Sequence, residues 1–355
     1  MALLSLVRWP VRRQHISGET GTRGRGRAGI AAATLGALLT MHLCIGFAAD
    51  TRVATSDDPV ALLARIQQAA RKLDYAGVFV YSQGEFTQSS RIVHMLDGTG
   101  ERERLEVLDG QPREYLRHND DVQCLMPERK TVRLERRRGD RFPGLLLGDP
   151  AGLANHYDIR ADEKMHRVAG RQCRLILIEP RDGLRYGYRL CADTETNLLV
   201  KAQTVTANKA VVEQVIFTSL RIGAGIQSDA LKSPWETRDW EVQQTDMTPV
   251  DLTAKGWRVP APPGFVSVMQ VGRKMKRGGV SQMVLSDGLA AISVFIEPYD
   301  PQMHGQRPEG GERQGAINVF GTRIANFWLT ALGEVPMETL RQVAEQTEYV
   351  PLPAP

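Results

Sequence analysis

The residues able to do chemistry are few, and their spacing does not favour catalysis. Beyond residue 50 the histidines stand at 94, 118, 156, 166 and 304, scattered along the chain. There is no Gly-x-Ser-x-Gly, His-Glu-x-x-His or P-loop sequence. His118 beside Asp120-Asp121 has the composition of a base with its orienting carboxylate, but equally of a polar turn, which is the reading preferred. Ser286-Asp287-Gly288 is better explained as a β-turn than as a nucleophile site. Gly315–Gly321 lacks the strand-then-helix setting of a dinucleotide site. The sequence therefore predicts no enzyme, no metal site and no cofactor. What remains are two clusters of positive charge. Arg133, Arg136, Arg137, Arg138 and Arg141 surround one turn; Arg273, Lys274, Lys276 and Arg277 fill a hairpin tip. Guanidinium groups suit phosphates and acidic side chains, so the first cluster is a candidate anion site and the second a candidate partner contact. Solubilising loop charge is the plain alternative for both.

The cysteines need an element to place them. Arg171 to Gln203 reads as two apolar-rich runs flanking Pro180-Arg181-Asp182-Gly183, followed by a third strand. A three-residue loop with Gly183 in the left-handed position sets Pro180 opposite Leu184. It then pairs Ile178 with Tyr186, Ile176 with Tyr188, Glu179 with Arg185, and Cys173 with Cys191. Cysteines at a non-hydrogen-bonded pair lie about 4.5 Å apart between Cα atoms, within disulfide reach. A Cys173–Cys191 bridge is expected, against the alternative of two half-buried thiols. Cys124 is left as a buried strand residue, and no Cys-x-x-Cys occurs.

The same stretch resembles the hairpin of the periplasmic sigma-E regulatory proteins of the RseB/MucB family. Pro180, Asp182, Arg185, Tyr186, Gly187, Tyr188, Leu190, Asp193, Thr196, Leu198 and Leu199 match its pattern; Cys191 stands where the family usually has Trp. Ser286–Pro298, Trp257–Phe265 and Gly333–Leu340 are similar to that family's second domain. The resemblance implies a large domain shaped like the lipoprotein carriers LolA and LolB, plus a smaller C-terminal domain. It further implies a regulator that binds the periplasmic part of a membrane anti-sigma factor and shields it from proteolysis. Lipopolysaccharide or another acyl lipid would release that grip.

Charge and leader agree with export. The formal net charge is +4, yet residues 1–49 carry six Arg against one Glu, a net +5 that leaves −1 for the rest. A nucleic-acid partner is not expected. Arg-rich residues precede an uncharged apolar run from Ala28 to Ala49, so residues 1–49 read as a signal peptide cleaved after Ala48 or Ala49, delivering the protein to the periplasm. An uncleaved anchor is the alternative.

The mature chain predicts an α+β fold, mostly antiparallel β. Asp58-Pro59 caps a helix with Leu62, Leu63, Ile66, Ala69, Ala70 and Leu73 on one face. Short strands follow in a meander, suggesting a large unclosed half-barrel wrapping the helix over residues 50–222. Residues 223–239 read as a linker, 240–350 as a small α+β partner-binding domain ending in a helix opened by Pro336, and 351–355 as a tail. Val78, Val80, Leu105, Leu116, Leu125, Leu145 and Leu146 are candidates to line an acyl groove, with ordinary core the alternative for each. Trp257 and Phe265 are candidate partner anchors or plain core. A lipid or lipoprotein carrier with a docking domain is the rival function, and a homo-oligomer is left open.

Overall fold

The structure is a computed structural model that describes residues 58–136, 142–144, 150–244, 247–275, 278–305, 309–314 and 316–351. The predicted leader lies outside them, as do Arg137, Arg138, Arg141, Leu145, Leu146, Lys276 and Arg277.

The chain opens with helix α1 (Pro59–Lys72). Asp58 caps it, its Oδ1 accepting from the Val60 amide at 3.0 Å, and Pro59 sits at the first helical position, where a missing N–H costs nothing. Eleven strands follow: β1 (Tyr75–Gln83), β2 (Phe86–Asp97), β3 (Gly100–Val107), β4 (Arg113–His118), β5 (Asp121–Met126), β6 (Thr131–Arg136), β7 (Tyr157–Val168), β8 (Arg171–Pro180), β9 (Gly187–Asp193), β10 (Leu199–Val205) and β11 (Val211–Ile222). With β12 (Glu241–Gln244) they form one open twelve-stranded sheet, ordered β12-β6-β5-β4-β3-β2-β1-β11-β10-β9-β8-β7. All neighbours are antiparallel except β12, which runs parallel to β6. The sheet curls around α1, whose apolar face packs against β2, β7 and β10. Residues 241–244 thus extend the first sheet. The segment before them is tied to the sheet's outer face: Arg104 donates to the Ala230 carbonyl at 3.2 Å, and Ser233 to Glu114.

The second domain is a seven-stranded sheet, ordered β13-β15-β16-β17-β20-β19-β18. Its strands are β13 (Met247–Pro249), β15 (Val266–Met275), β16 (Gly278–Ser286), β17 (Ala291–Pro298), β18 (Gly310–Gln314), β19 (Ile317–Ile324) and β20 (Phe327–Gly333). Between β13 and β15 the short β14 (Trp257–Arg258) pairs with the terminal β21 (Glu348–Tyr349). The one-turn α2 (Pro301–His304) follows β17. Helix α3 (Met337–Glu345) buries Thr339, Leu340, Val343 and Ala344 on this domain's core.

The hairpin departs from its sequence-based register. Cys173 pairs with Asp193, Leu175 with Cys191, Ile176 with Leu190 and Ile178 with Tyr188, two positions from the expected pairing. Because the shift is even, each side chain keeps its face, and Cys173 and Cys191 still bridge diagonally with Cα atoms 5.5 Å apart. Both cysteines are buried, and Cys124 is free and buried. The bridge closes a loop with a sequence separation of 18. Replacing both cysteines by alanine is expected to cost about 3 kcal/mol by loop-closure entropy, measured by urea unfolding, with Cys124 alkylated only on unfolding.

Candidate functional site at the domain seam and in the C-terminal cup

The shifted register has a cause. Asp182 accepts from the Leu184 amide at 3.0 Å and from Arg185 Nε at 3.1 Å. This local turn draws residues 181–186 out of the ladder into a loop. Arg185 and Tyr186, expected to lie in a strand, face the second domain instead. The Arg185 side chain is completely buried. Nη1 donates to Asp287 Oδ2 at 2.8 Å and Nη2 to the Pro263 carbonyl at 2.5 Å. The guanidinium lies 5.5 Å from the Tyr157 ring centroid and 5.0 Å from that of Phe265. Asp287 is equally buried. Its Oδ2 also accepts from Tyr157 Oη at 2.8 Å, and its Oδ1 from the Leu289 and Ala290 amides at 2.9 and 2.7 Å. Burial, with Tyr188 and Asp287 nearby, holds the Tyr157 phenol above its usual pKa, so it remains a donor.

Two further bonds close the seam. Asn318 Nδ2 donates to Tyr186 Oη at 3.0 Å and to the Val335 carbonyl at 2.7 Å. Thr339 Oγ1 donates to the Leu184 carbonyl at 2.8 Å. Leu289 of the second domain joins the first domain's apolar cluster. At Gly264 (φ +82°) an added Cβ would lie 2.4 Å from the His156 ring. The Ser286-Asp287-Gly288 turn is therefore the seam's acceptor. Phe265, a predicted partner anchor, is 4% exposed and serves as the floor beneath Arg185.

A second feature lies at one end of the C-terminal core. A cavity of about 340 Å³ is lined by Val250, Trp257, Ile296, Pro298, Phe327 and Tyr349, with Lys255 and Arg273 also in its wall. Trp257 packs edge-on to Phe327 at 5.1 Å and against Tyr349 at 4.7 Å. Arg273 Nε is buried without a hydrogen-bond partner. Burial lowers the Arg273 pKa, partly offset by Glu135 of β6. Of the predicted partner residues, the fold thus brings Trp257 and Arg273 together. Lys274 is described in backbone only, within β15.

The predicted groove is redistributed by strand alternation. Leu105 is on the helix-facing side with Phe79, Tyr115 and Cys124. Val78, Val80, Leu116 and Leu125 fall on the opposite face, because each neighbours one of those inward residues along its strand. Leu125 pairs with Glu114, to which Ser233 is bonded, and so lies beneath the linker. Inside, Phe79, Phe142 and Phe217 fill the space with centroid separations of 5.1–5.9 Å. Of the predicted anion cluster, Arg133 pairs with Cys124 and points inward, while Arg136 is described in backbone only. His118 is exposed, with Nε2 3.0 Å from Thr99 Oγ1, as a polar turn requires.

The comparisons with known proteins cover both domains. The family model described as the MucB/RseB N-terminal domain matches residues 58–235, and that of the MucB/RseB C-terminal domain matches 251–348. The chain belongs to the MucB/RseB family. It is 31% identical over 291 residues to the sigma factor AlgU regulatory protein MucB of Pseudomonas aeruginosa, covering 79% of this chain and 88% of that one. It is 25% identical over 298 residues to the sigma-E factor regulatory protein RseB of Escherichia coli K12, covering 81% and 90%. Among solved structures, MucB in complex with MucA(peri) matches with a TM-score of 0.65 at 28% identity, covering 83% of this chain and 100% of that one. The family is a regulatory one rather than a known enzyme family. The arginine that anchors the seam is part of the sequence motif that carried the resemblance.

Beneath the seam, one carboxyl has a shifted pKa. Glu213 is 1% exposed and accepts from Thr204 Oγ1 and Tyr81 Oη, both at 3.0 Å. Burial, and then Glu334, raise its pKa from 4.5 to about 7. A raised carboxyl pKa means that the folded state favours the proton. The stability it contributes is full below pH 4.5 and is lost as pH rises through about 7. Thermal melting of the wild type is therefore expected to fall between pH 5 and 8, and Glu213→Gln to flatten that decline.

Proposed function

We propose that this protein is a periplasmic regulator. It binds the periplasmic segment of a membrane anti-sigma factor, shields that segment from proteolysis, and loosens its hold when an acyl lipid such as lipopolysaccharide binds the first domain. The observation that carries the reading is the match over both domains to a relative whose solved structure is a complex with MucA(peri). The cup around Trp257, with Lys255 and Arg273 in its wall, is suited to an apolar anchor flanked by acidic residues. Binding would be strongest when both domains contribute surface, and the Arg185 seam holds them as one body. The lipid response requires room in the half-barrel, and Phe142 is the side chain that would have to leave the space between Phe79 and Phe217. The same filling argues against a freely loading carrier.

The test is calorimetric titration of the purified anti-sigma periplasmic segment, with and without lipopolysaccharide. Wild type is expected to bind, and lipid to weaken that binding. Arg273→Glu with Lys255→Glu should weaken the segment at least tenfold. Phe142→Ala should tighten lipid binding and leave lipid-free segment affinity unchanged. If lipid does not alter segment affinity, the sensing half of the reading fails.

A further inference from the structure

The twelve-stranded sheet ends in β9, β8 and β7, with β7 its last strand. This end carries the first domain's share of the seam. Tyr157, the first residue of β7, and Arg185, in the loop after β8, both donate to Asp287. Tyr186 of the same loop accepts from Asn318. The loop is tied to β7 in turn: the Arg181 amide donates to the His156 carbonyl at 3.0 Å, and the Arg181 side chain pairs with Asp158. Strand β7 buries little of itself. Of its twelve residues only Tyr157 and Val168, its two ends, are buried, so it depends on its ladder with β8. Strand β8 is what holds this end to the core, through Cys173, Ile176 and Ile178. A terminal hairpin attached along one strand is a unit able to open ahead of the rest of its domain. To free it, β8 must part from β9.

The Cys173–Cys191 bridge crosses that junction. The chain it closes runs along β8, through the seam loop and back along β9, so Arg185 and Tyr186 lie inside it. With the bond made, β8 and β9 stay together and the seam loop cannot extend. With it cut, the same parting gains the entropy of a sequence separation of 18, which favours opening by about 100-fold. Arg171 also donates across the junction, to Asp193 at 2.6 Å, but its side chain is 25% exposed and water can take its place. Both bridge cysteines are shut in, at 0% and 2% exposure. A thiol or disulfide in solution reaches neither while this end is closed, so exchange requires the open form. The bridge therefore records the redox conditions in which the chain folded.

We infer that this bridge makes the seam conditional on oxidation. As the chain folds in an oxidising compartment, one thiolate attacks the disulfide of a dithiol oxidant. The second thiolate then displaces the oxidant's sulfur from the mixed disulfide. The oxidant leaves as a dithiol, carrying two electrons and the protons of both cysteines. A chain folded without that step keeps α1 and strands β1 to β6, but its β7–β8 end opens, and Arg185 and Tyr186 are no longer held for the second domain. The oxidising capacity of the compartment is then read in how firmly the two domains are joined. The consequence for the anti-sigma segment rests on the partner-binding reading given above; the condition on the seam does not.

The experiment compares three forms of the mature protein: oxidised, refolded in the presence of a phosphine reductant, and reoxidised with oxidised glutathione. On reduction, hydrogen exchange read by mass spectrometry is expected to quicken about 100-fold in β7, β8 and residues 181–186. Exchange in α1 and β1 to β6 should be unchanged, and reoxidation should restore the slow rates. Cys173→Val with Cys191→Val, which keeps apolar side chains at both positions, should match the reduced form with or without phosphine. The coupling is reciprocal. Arg185→Met unties the seam, so a phosphine should release the two bridge thiols from the oxidised variant at least about tenfold faster than from wild type. Titration of the purified anti-sigma periplasmic segment should find weaker binding in the reduced form and recovery on reoxidation. Exchange that quickens evenly over the first domain, a reduced chain that does not refold, or thiol release from Arg185→Met at the wild-type rate overturns the inference. Unchanged segment affinity despite local opening overturns its consequence for the partner. Absence of binding by the oxidised protein overturns the partner reading itself, while the exchange rates still decide the condition on the seam.

Discussion

Arg185→Met is expected to destabilise the protein by about 3–5 kcal/mol, the loss seen when one partner of a buried ion pair is removed. The size follows from what is left behind. Asp287 has no exposed side-chain surface, so it cannot recruit bulk water when the guanidinium goes. Its remaining partners, Tyr157 and two backbone amides, are dipoles and not charges. The Pro263 carbonyl loses its donor, and the Tyr157 and Phe265 rings lose the group between them. Because these contacts cross the seam, the effect should be visible in cooperativity as well as in magnitude. Wild type is expected to melt in one transition by calorimetry, and Arg185→Met in two, one for each domain. Arg185→Met combined with Asp287→Leu should recover much of the loss, since a buried pair replaced by apolar groups is often close to neutral. A variant that melts as one unit with unchanged midpoint would show that the seam is not held by this pair.

The register that turns Arg185 towards the second domain is not legible from the sequence, for a physical reason. Pro180-Arg181-Asp182-Gly183 carries a strong local turn signal, and a three-residue loop gives sensible cross-strand pairs all the way to the cysteines. What it omits is the second domain. The Asp182 carboxylate organises a wider loop, and Asp287, Pro263 and Asn318 supply partners that hold Arg185 and Tyr186 outside the ladder. Local turn chemistry was outweighed by contacts from residues about a hundred positions away. The Cys173–Cys191 disulfide survives the slip because an even shift keeps both side chains on the same face. Helix α1, by contrast, is readable up to its last turn, since its cap, its first-turn proline and its apolar period are all local; only Leu73, expected on the apolar face, falls just past the helix as its extended C-cap.

The groove shows the same limit in another form. Val78, Val80, Leu116 and Leu125 are apolar, but a strand presents alternate residues to opposite faces, and both faces of this sheet are partly covered. The linker's contacts with Arg104 and Glu114 bury one of those faces, which nothing in a stretch of low periodicity would indicate. Glu213 carries no local signal: a lone glutamate in a strand of mixed polarity reads as an outward residue until the opposite domain is in place.

Trp257→Ala is expected to remove about 3–5 kcal/mol from the C-terminal domain, the usual range for truncating a large buried aromatic. Its identity as a candidate partner anchor makes the distinction from a binding effect worth drawing. Trp257 is 4% exposed and joins Phe327 and Tyr349 in a three-ring cluster with centroid separations of 4.7–5.1 Å. Its strand pairs with β21, and the approach is so close that a Cβ on Gly256 would lie 2.2 Å from the Val350 carbonyl oxygen. Truncation therefore opens a void and frees the terminal strand that Tyr349 pins down. Calorimetry should show the C-terminal domain melting at lower temperature. Segment binding should fall with it, and recover on cooling or in Trp257→Phe, which refills most of the space. Lys255→Glu alone is expected to behave in the opposite way, leaving the melting curve nearly unchanged while binding is weakened at every temperature. If Trp257→Ala melts like wild type yet fails to bind, the indole contacts the partner directly and its packing is secondary.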